Sequence, residues 1–210
     1  MQPVGKAWEC TTPCCGILPT MRALAMALLV GCGSSSASEP VEIAVPVAKS
    51  EPIVGTTPPE WQAERWINSP PRSLASLRGS VVLVRWWTAG CPFCSASAPA
   101  LREFDRAYRA RGLQVIGMYH HKEATPFEPK VYEDTAKKYG FTFPLAFDAE
   151  WHTLQSWLRD SEGKPVDTGF TSVTFLLDRQ GVIRHVHPGG QYVAGDPAHA
   201  ELDRKIRELL

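Results

Sequence analysis

The sequence lacks an excess of either charge, since 22 Lys+Arg balance 22 Asp+Glu across its 210 residues. It also lacks a basic run of the kind that grips a phosphate backbone, so nucleic acid is not an expected partner. No apolar stretch approaches the roughly 20 residues needed to cross a bilayer as a helix. No internal repeat is visible. Cysteine is sparse in the globular part. Of six Cys, Cys10, Cys14, Cys15 and Cys32 come early, which leaves Cys91 and Cys94 inside the fold. There is no second Cys-x-x-Cys, and apart from His185-Val186-His187 the histidines have no ligand-pair spacing. A tetrahedral zinc site normally needs four such ligands, so no metal is expected. What remains is 44% hydrophobic with seven Trp, ordinary for one folded domain of roughly 150 residues plus extensions.

The N-terminus has the features of an export signal. Arg22 precedes a short apolar run, residues 23–30, which closes on Gly31 and Cys32. The ending Leu29-Val30-Gly31-Cys32 resembles the lipobox of bacterial lipoproteins, a resemblance that implies lipidation at Cys32. Residues 33–38 are Ser-rich and suit a flexible tether. The competing reading is a buried apolar helix ending in an ordinary Cys. Met21 is an alternative start, with residues 1–20 as discarded leader. The expected organisation is a leader and lipoprotein signal over 1–31, a lipid-anchored flexible linker over 32–58, and a globular domain over 59–210.

Patterning within that domain is clear. Residues 80–87, SVVLVRWW, form a continuous apolar and β-branched run, the mark of a buried parallel strand. A helix is expected over 95–111, ending at Gly112, and a second buried strand over 113–119. Further elements are a helix over 130–139, a strand over 143–147, a helical turn or two over 150–158, and strands over 173–177 and 182–186 joined by Asp178-Arg179-Gln180-Gly181. A last helix over 196–210 carries Pro197 in its first turn. The expected fold class is α/β, with a central mixed β-sheet flanked by helices on both faces. Reactive groups in such sheets collect at the carboxyl ends of the parallel strands.

Chemistry concentrates in Trp86-Trp87-Thr88-Ala89-Gly90-Cys91-Pro92-Phe93-Cys94, which joins a buried strand to a helix N-terminus. Two Cys three apart in a first helical turn bring their sulfurs close enough to bridge. The free backbone N–H groups and helix dipole there stabilise a thiolate, and Cys pKa values in such motifs fall to about 3.5–7.5. Pro92 lacks an N–H and pre-sets the helical φ, so it costs little there.

Residues 73–84 and 86–94, with Pro99 five residues beyond Cys94, resemble the TlpA-like family of thioredoxin-fold disulfide reductases. Gln114-Val115-Ile116-Gly117, residues 139–144 and residues 174–181 extend the resemblance over about 60–195. It implies a thioredoxin-like fold in the redoxin superfamily and a membrane-tethered thiol–disulfide oxidoreductase. The same resemblance implies Cys91 as nucleophile, Cys94 as resolving thiol, and a redox-active Cys91–Cys94 disulfide in place of any cofactor. It places Trp87, Pro92, Phe93, Thr171 and Ser172 beside the substrate. The partners it implies are protein thiols and disulfides of a bacterial cell envelope, with the protein lipid-anchored and facing the periplasm.

Three departures limit the match. Gly90 stands where Trp is common, and Ser172 where a cis-Pro usually faces the dithiol, so a trans Thr171-Ser172 bond is expected. The positions of acids often found near the dithiol hold Arg85 and Ser97. Proton transfer then needs another group, and His120 and His121, ending the strand over 113–119, are candidates. Two surface histidines at a loop start are the plainer reading. Trp86 and Trp87 point to opposite faces of their strand, mostly into core. Two other functions compete. Thr88-Ala89-Gly90-Cys91 matches half of the peroxiredoxin Pro-x-x-x-Thr-x-x-Cys pattern, with Val84 replacing the Pro. A copper carrier could use Cys91 and Cys94 with a downstream His, since soft thiolates select Cu(I).

Overall fold

The computed structural model describes residues 51–122, 124–148 and 150–210. The apolar leader, Cys32 and most of the expected linker lie outside the described residues. The elements follow as β1 (Trp66–Ile67), β2 (Val81–Trp87), α1 (Pro92–Tyr108), β3 (Leu113–Tyr119), α2 (Pro129–Tyr139), β4 (Leu145–Phe147), α3 (His152–Trp157), β5 (Thr174–Leu177), β6 (Ile183–His187) and α4 (Pro197–Leu209).

The six strands make one mixed sheet in the order β1-β4-β3-β2-β5-β6. The parallel centre pairs β2 with β3 from Val81↔Leu113 to Trp87↔Tyr119, and β3 with β4 from Gly117↔Leu145 to Tyr119↔Phe147. β5 runs antiparallel to β2, and β6 antiparallel to β5. Every residue of β2 is buried, as its unbroken apolar run predicts for a strand covered on both sides. Gly117 is required by packing: a Cβ there would stand 2.4 Å from Leu145 Cδ2 and 3.1 Å from Trp87 Nε1.

Alternation along the strands divides the interior into two cores. Val81, Leu83, Trp87, Leu113, Val115 and Tyr119 point to the face covered by α1, α2 and α4, where Leu101, Phe104, Tyr132 and Leu202 meet them. Val82, Val84, Trp86, Ile116 and Met118 point to the other face. α3 and the segment before β2 cover that side through Leu154, Trp157, Ile53, Trp61, Leu74 and Leu77. The thioredoxin-like α/β architecture expected from the sequence is therefore present, with helices on both faces.

Two details differ from expectation. β1 is a two-residue edge strand paired with β4, too short to leave a periodic signal. The folded domain also begins before residue 59. Ile53 is completely buried, and Gly55 N donates to Ile183 O (2.8 Å) while Ile183 N donates to Thr56 O (2.9 Å). Gly55 and Thr56 thus pair with β6 and Ile53 belongs to the core, so this segment is part of the folded domain and not a linker.

Deleting most of a fully buried Ile side chain typically costs about 2–5 kcal/mol. Ile53→Ala is accordingly expected to lower unfolding stability in urea by an amount in that range. Unchanged stability would put the segment outside the core.

Candidate functional site

β2 ends at Trp87, and the chain crosses to α1 through Thr88, Ala89 and Gly90. Gly90 has φ +72° with open space where a Cβ would sit, so backbone conformation, not crowding, favours glycine there. Cys91 is the N-cap of α1 in an extended conformation, with Pro92 at the first helical position. Its Sγ accepts the backbone N–H of Cys94 at 3.2 Å. Both thiols are free; Cys91 is half-exposed, whereas Cys94 is buried.

This placement drives the two thiols apart in acidity. Cys91 is lowered to about 6, first by the hydrogen bond from the Cys94 side chain, then by the Cys94 N–H, the Arg85 charge and the Phe93 N–H, all working against partial burial. Cys94 is pushed up strongly, because its thiol proton is held by Cys91 and burial penalises its charged form. At pH 7 the pair is one thiolate and one thiol sharing a proton.

Cys91 opens onto a cleft of about 730 Å³. One wall is Thr88 to Phe93; the other is Trp151, Leu154, Gln155 and Leu158 together with the loop 167–172. Asp148 fixes the second wall by accepting the N–H groups of Thr153 and Leu154 and the Trp86 indole N–H (3.2 Å). At the rim Phe93 (41% exposed) meets Phe170 (40% exposed) edge-on, with ring centroids 6.1 Å apart.

Pro92, Phe93, Thr171 and Ser172 all line this cleft beside Cys91. The described residues contain no cis peptide bond, so Thr171-Ser172 is trans. Trp87, expected at the substrate surface, does not line the cleft. It is 1% exposed, stacks on Tyr132 and meets Tyr119 and Phe141 edge-on. Strand alternation sends it beneath α1, into the core that also holds Cys94.

The reading of His120 and His121 as two surface histidines fails for His120, which is fully buried. Its Nε2 is 3.0 Å from Thr171 Oγ1, its ring stands edge-on to Trp151, and its Nδ1 has no hydrogen-bond partner. Burial lowers it to about 3, helped by the charges of Lys122 and Arg85. A histidine neutral at pH 7 is not the protonated acid expected of an exposed imidazole. It instead braces the Thr171 hydroxyl in the cleft wall. His121 is partly exposed and its Nε2 donates to Thr125 O at 2.5 Å. The contribution of α3 and of Phe170 to the cleft was not legible, because neither carries a residue pattern tied to sulfur chemistry.

Residues 54–186 match the model of the AhpC/TSA family. The chain belongs to this family. Protein DipZ of Mycobacterium tuberculosis is 30% identical over 142 residues, 66% of this chain and 19% of its own length. The chain thus spans about a fifth of that relative. Thioredoxin-like protein YneN of Bacillus subtilis is 27% identical over 119 residues, covering 56% of this chain and 61% of YneN. Among solved structures, a thiol-disulfide isomerase from Corynebacterium glutamicum is 26% identical, covers 73% of this chain and 95% of its own, and superposes with a TM-score of 0.55. A putative thiol:disulfide interchange protein DsbE from Chlorobium tepidum shares 22% identity over 74% and 96% of the two chains at a TM-score of 0.57, which bears on the fold alone. Within the AhpC/TSA family, then, this chain has the thioredoxin-like fold found in thiol:disulfide interchange proteins, and its redoxin-superfamily membership stands.

Iodoacetamide labelling of the reduced protein should follow a single titration at Cys91 with its midpoint near pH 6, while Cys94 resists labelling. A Cys91 midpoint above pH 8 would contradict the electrostatics described here.

Proposed function

We propose that this protein is a thiol–disulfide oxidoreductase that exchanges disulfides with protein substrates through Cys91 and Cys94. The observation that carries the reading is the Cys94 N–H donated to Cys91 Sγ at the mouth of the cleft. It holds a half-exposed thiolate at a helix N-terminus with a protonated thiol beneath it, the arrangement that exchange requires.

In the reductive direction the Cys91 thiolate attacks one sulfur of a substrate disulfide seated in the cleft. That S–S bond breaks, a Cys91–substrate disulfide forms, and the other substrate sulfur leaves as a thiolate. Cys94 then gives up its proton, which passes to a leaving thiolate or to water, and attacks Cys91 Sγ. The second substrate thiolate departs, two electrons have moved to the substrate, and Cys91–Cys94 remains as a disulfide. The reverse sequence oxidises a substrate dithiol. The Phe93–Phe170 pair and the Thr171 and Ser172 backbone form the surface against which a substrate segment lies.

A peroxidase reading has less support. Thr88 does line the cleft, but Arg85 does not. Its guanidinium N–H groups are given to Thr174 and Gly190, not turned into the cleft where a peroxide would be held by hydrogen bonds. A copper carrier would need a histidine facing the sulfur pair, whereas His120 is turned to Thr171.

The export signal, the Gly31-Cys32 junction and the Ser-rich tether support a bacterial cell-envelope location, with a lipid on Cys32 and the dithiol facing the periplasm. No described helix is long and apolar enough to cross a membrane. Envelope protein thiols and disulfides are then the substrates.

Cys91→Ser should abolish reduction of insulin disulfides, and Cys94→Ser should accumulate mixed disulfides with substrate. Equal activity in both variants, or faster turnover of hydrogen peroxide than of insulin by the unaltered protein, would overturn this function. Cys32→Ala should move the expressed protein out of the membrane fraction; retention there would contradict the lipid anchor.

A further inference from the structure

Arg85 sits in the middle of β2 with 1% of its surface exposed. Its side chain points to the face beneath α1, the side that also holds Cys94. Nη1 donates to Thr174 Oγ1 (3.1 Å), Nη2 donates to Gly190 O (2.7 Å), and the guanidinium lies 5.1 Å from the centre of the Tyr192 ring. Nε has no partner. Every one of these partners is neutral. A buried guanidinium normally faces a carboxylate, because an unpaired charge in the interior costs several kcal/mol. Arg cannot escape that cost by losing its proton.

The surroundings hold the charge in place. Ser97 Oγ, on α1, accepts the Tyr192 N–H (3.1 Å) and donates to Phe93 O (2.9 Å). The loop that grips Arg85 is therefore tied to the first turns of the helix carrying both cysteines. The titratable groups around the pair are Tyr139 from α2, Tyr192 after β6, His120 just after β3 and His187 from β6, with Lys122 and Asp167 along the cleft at Cys91 and Asp196 at the start of α4 acting on His187. Both tyrosines are raised, and burial together with Arg85 keeps the histidines neutral, His187 at about 3. None of the buried groups supplies a negative charge at pH 7, and the two carboxylates lie outside the core, Asp167 accepting the Gly169 N–H and Asp196 the Val193 and His199 N–H groups. The buried anion available to Arg85 is the one that reduction creates on the dithiol.

We propose that Arg85 is the fixed counter-charge of the reduced dithiol, a positioning residue that favours the thiolate form over the disulfide and so makes the Cys91–Cys94 disulfide a stronger oxidant. This inference rests on the exchange reading above. The oxidised pair is neutral, leaving Arg85 uncompensated, whereas the reduced pair carries one negative charge and compensates it. Opening the disulfide with two electrons and one proton, the other proton staying in solution, therefore relieves the buried charge. The Coulomb effect of Arg85 on both cysteines has the sign this requires.

The test compares the full chain with Arg85→Met and Arg85→Lys, using Cys91 alkylation against pH and the equilibrium with reduced and oxidised glutathione at pH 8. Arg85→Met should raise the alkylation midpoint by about one unit and shift the equilibrium towards the disulfide by about tenfold, or about 30 mV for a two-electron couple. Arg85→Lys keeps the charge and should stay within threefold of the unaltered protein. Equal shifts in both variants, or none in Arg85→Met, overturn the proposal. Should Arg85→Met fail to fold, the pH profile of the unaltered protein decides. A single break below pH 9, at the Cys91 midpoint, supports a fixed charge; a second break between pH 6 and 9 overturns it. Failure of the unaltered protein to form a reversible Cys91–Cys94 disulfide would overturn the exchange reading itself. A reversible disulfide whose equilibrium ignores residue 85 would overturn the role of Arg85 alone.

Discussion

One hydrogen bond, from the Cys94 backbone N–H to Cys91 Sγ, sets the terms for the rest of the site. It exists because α1 starts at Pro92, so the first N–H groups of the helix have no carbonyl to bond. A sulfur placed at the N-cap satisfies one of them and gains a charge-stabilising donor in exchange. The remaining geometry keeps that arrangement from relaxing. Gly90 supplies the left-handed turn that lifts the chain off β2, and the apolar face of α1 binds it to the sheet through Leu101 and Phe104.

The two faces of β2 divide the labour. The face under α1 holds Trp87, Cys94 and the buried guanidinium of Arg85, a rigid floor of aromatic rings and one fixed charge. The opposite face holds Trp86, whose indole N–H bonds Asp148, and Asp148 in turn anchors the start of α3. Through that chain a residue next to the dithiol's floor also positions the far wall of the cleft. Trp86 and Trp87 are consecutive, so the strand presents one ring to each face, Trp87 to the core that holds Cys94 and Trp86 to the side of the cleft wall.

Most of this frame was legible because it follows from periodicity. The run over 80–87 became β2, the strand over 113–119 became β3 residue for residue, and the turn over 178–181 joined β5 to β6 as expected. Cys91 at the head of a helix followed from Pro92 and the CxxC spacing. Other features depend on long-range contacts that no local pattern encodes. His120 reads as a polar residue at a strand end, yet α3 folds over it through Trp151 and excludes water. Ile53 lies in a Pro-rich stretch that looks like a tether, and the pairing of the neighbouring Gly55 and Thr56 with β6 becomes visible only across nearly 130 residues of chain. Trp87 was named beside the substrate because it adjoins the motif, although side-chain alternation pointed it mostly into core, and the core is where it lies. Arg85 was visible as a charge in an apolar strand; its lack of an acidic partner was not.

The central claim is that Cys91 and Cys94 form a single reversible couple. Peptide mapping by mass after stepwise oxidation with oxidised glutathione tests it most directly. The account predicts one cross-linked species joining Cys91 to Cys94, lighter by two hydrogen atoms and restored by reduction. Oxidation of Cys91 to sulfenic or sulfinic acid while Cys94 stays a free thiol would contradict it.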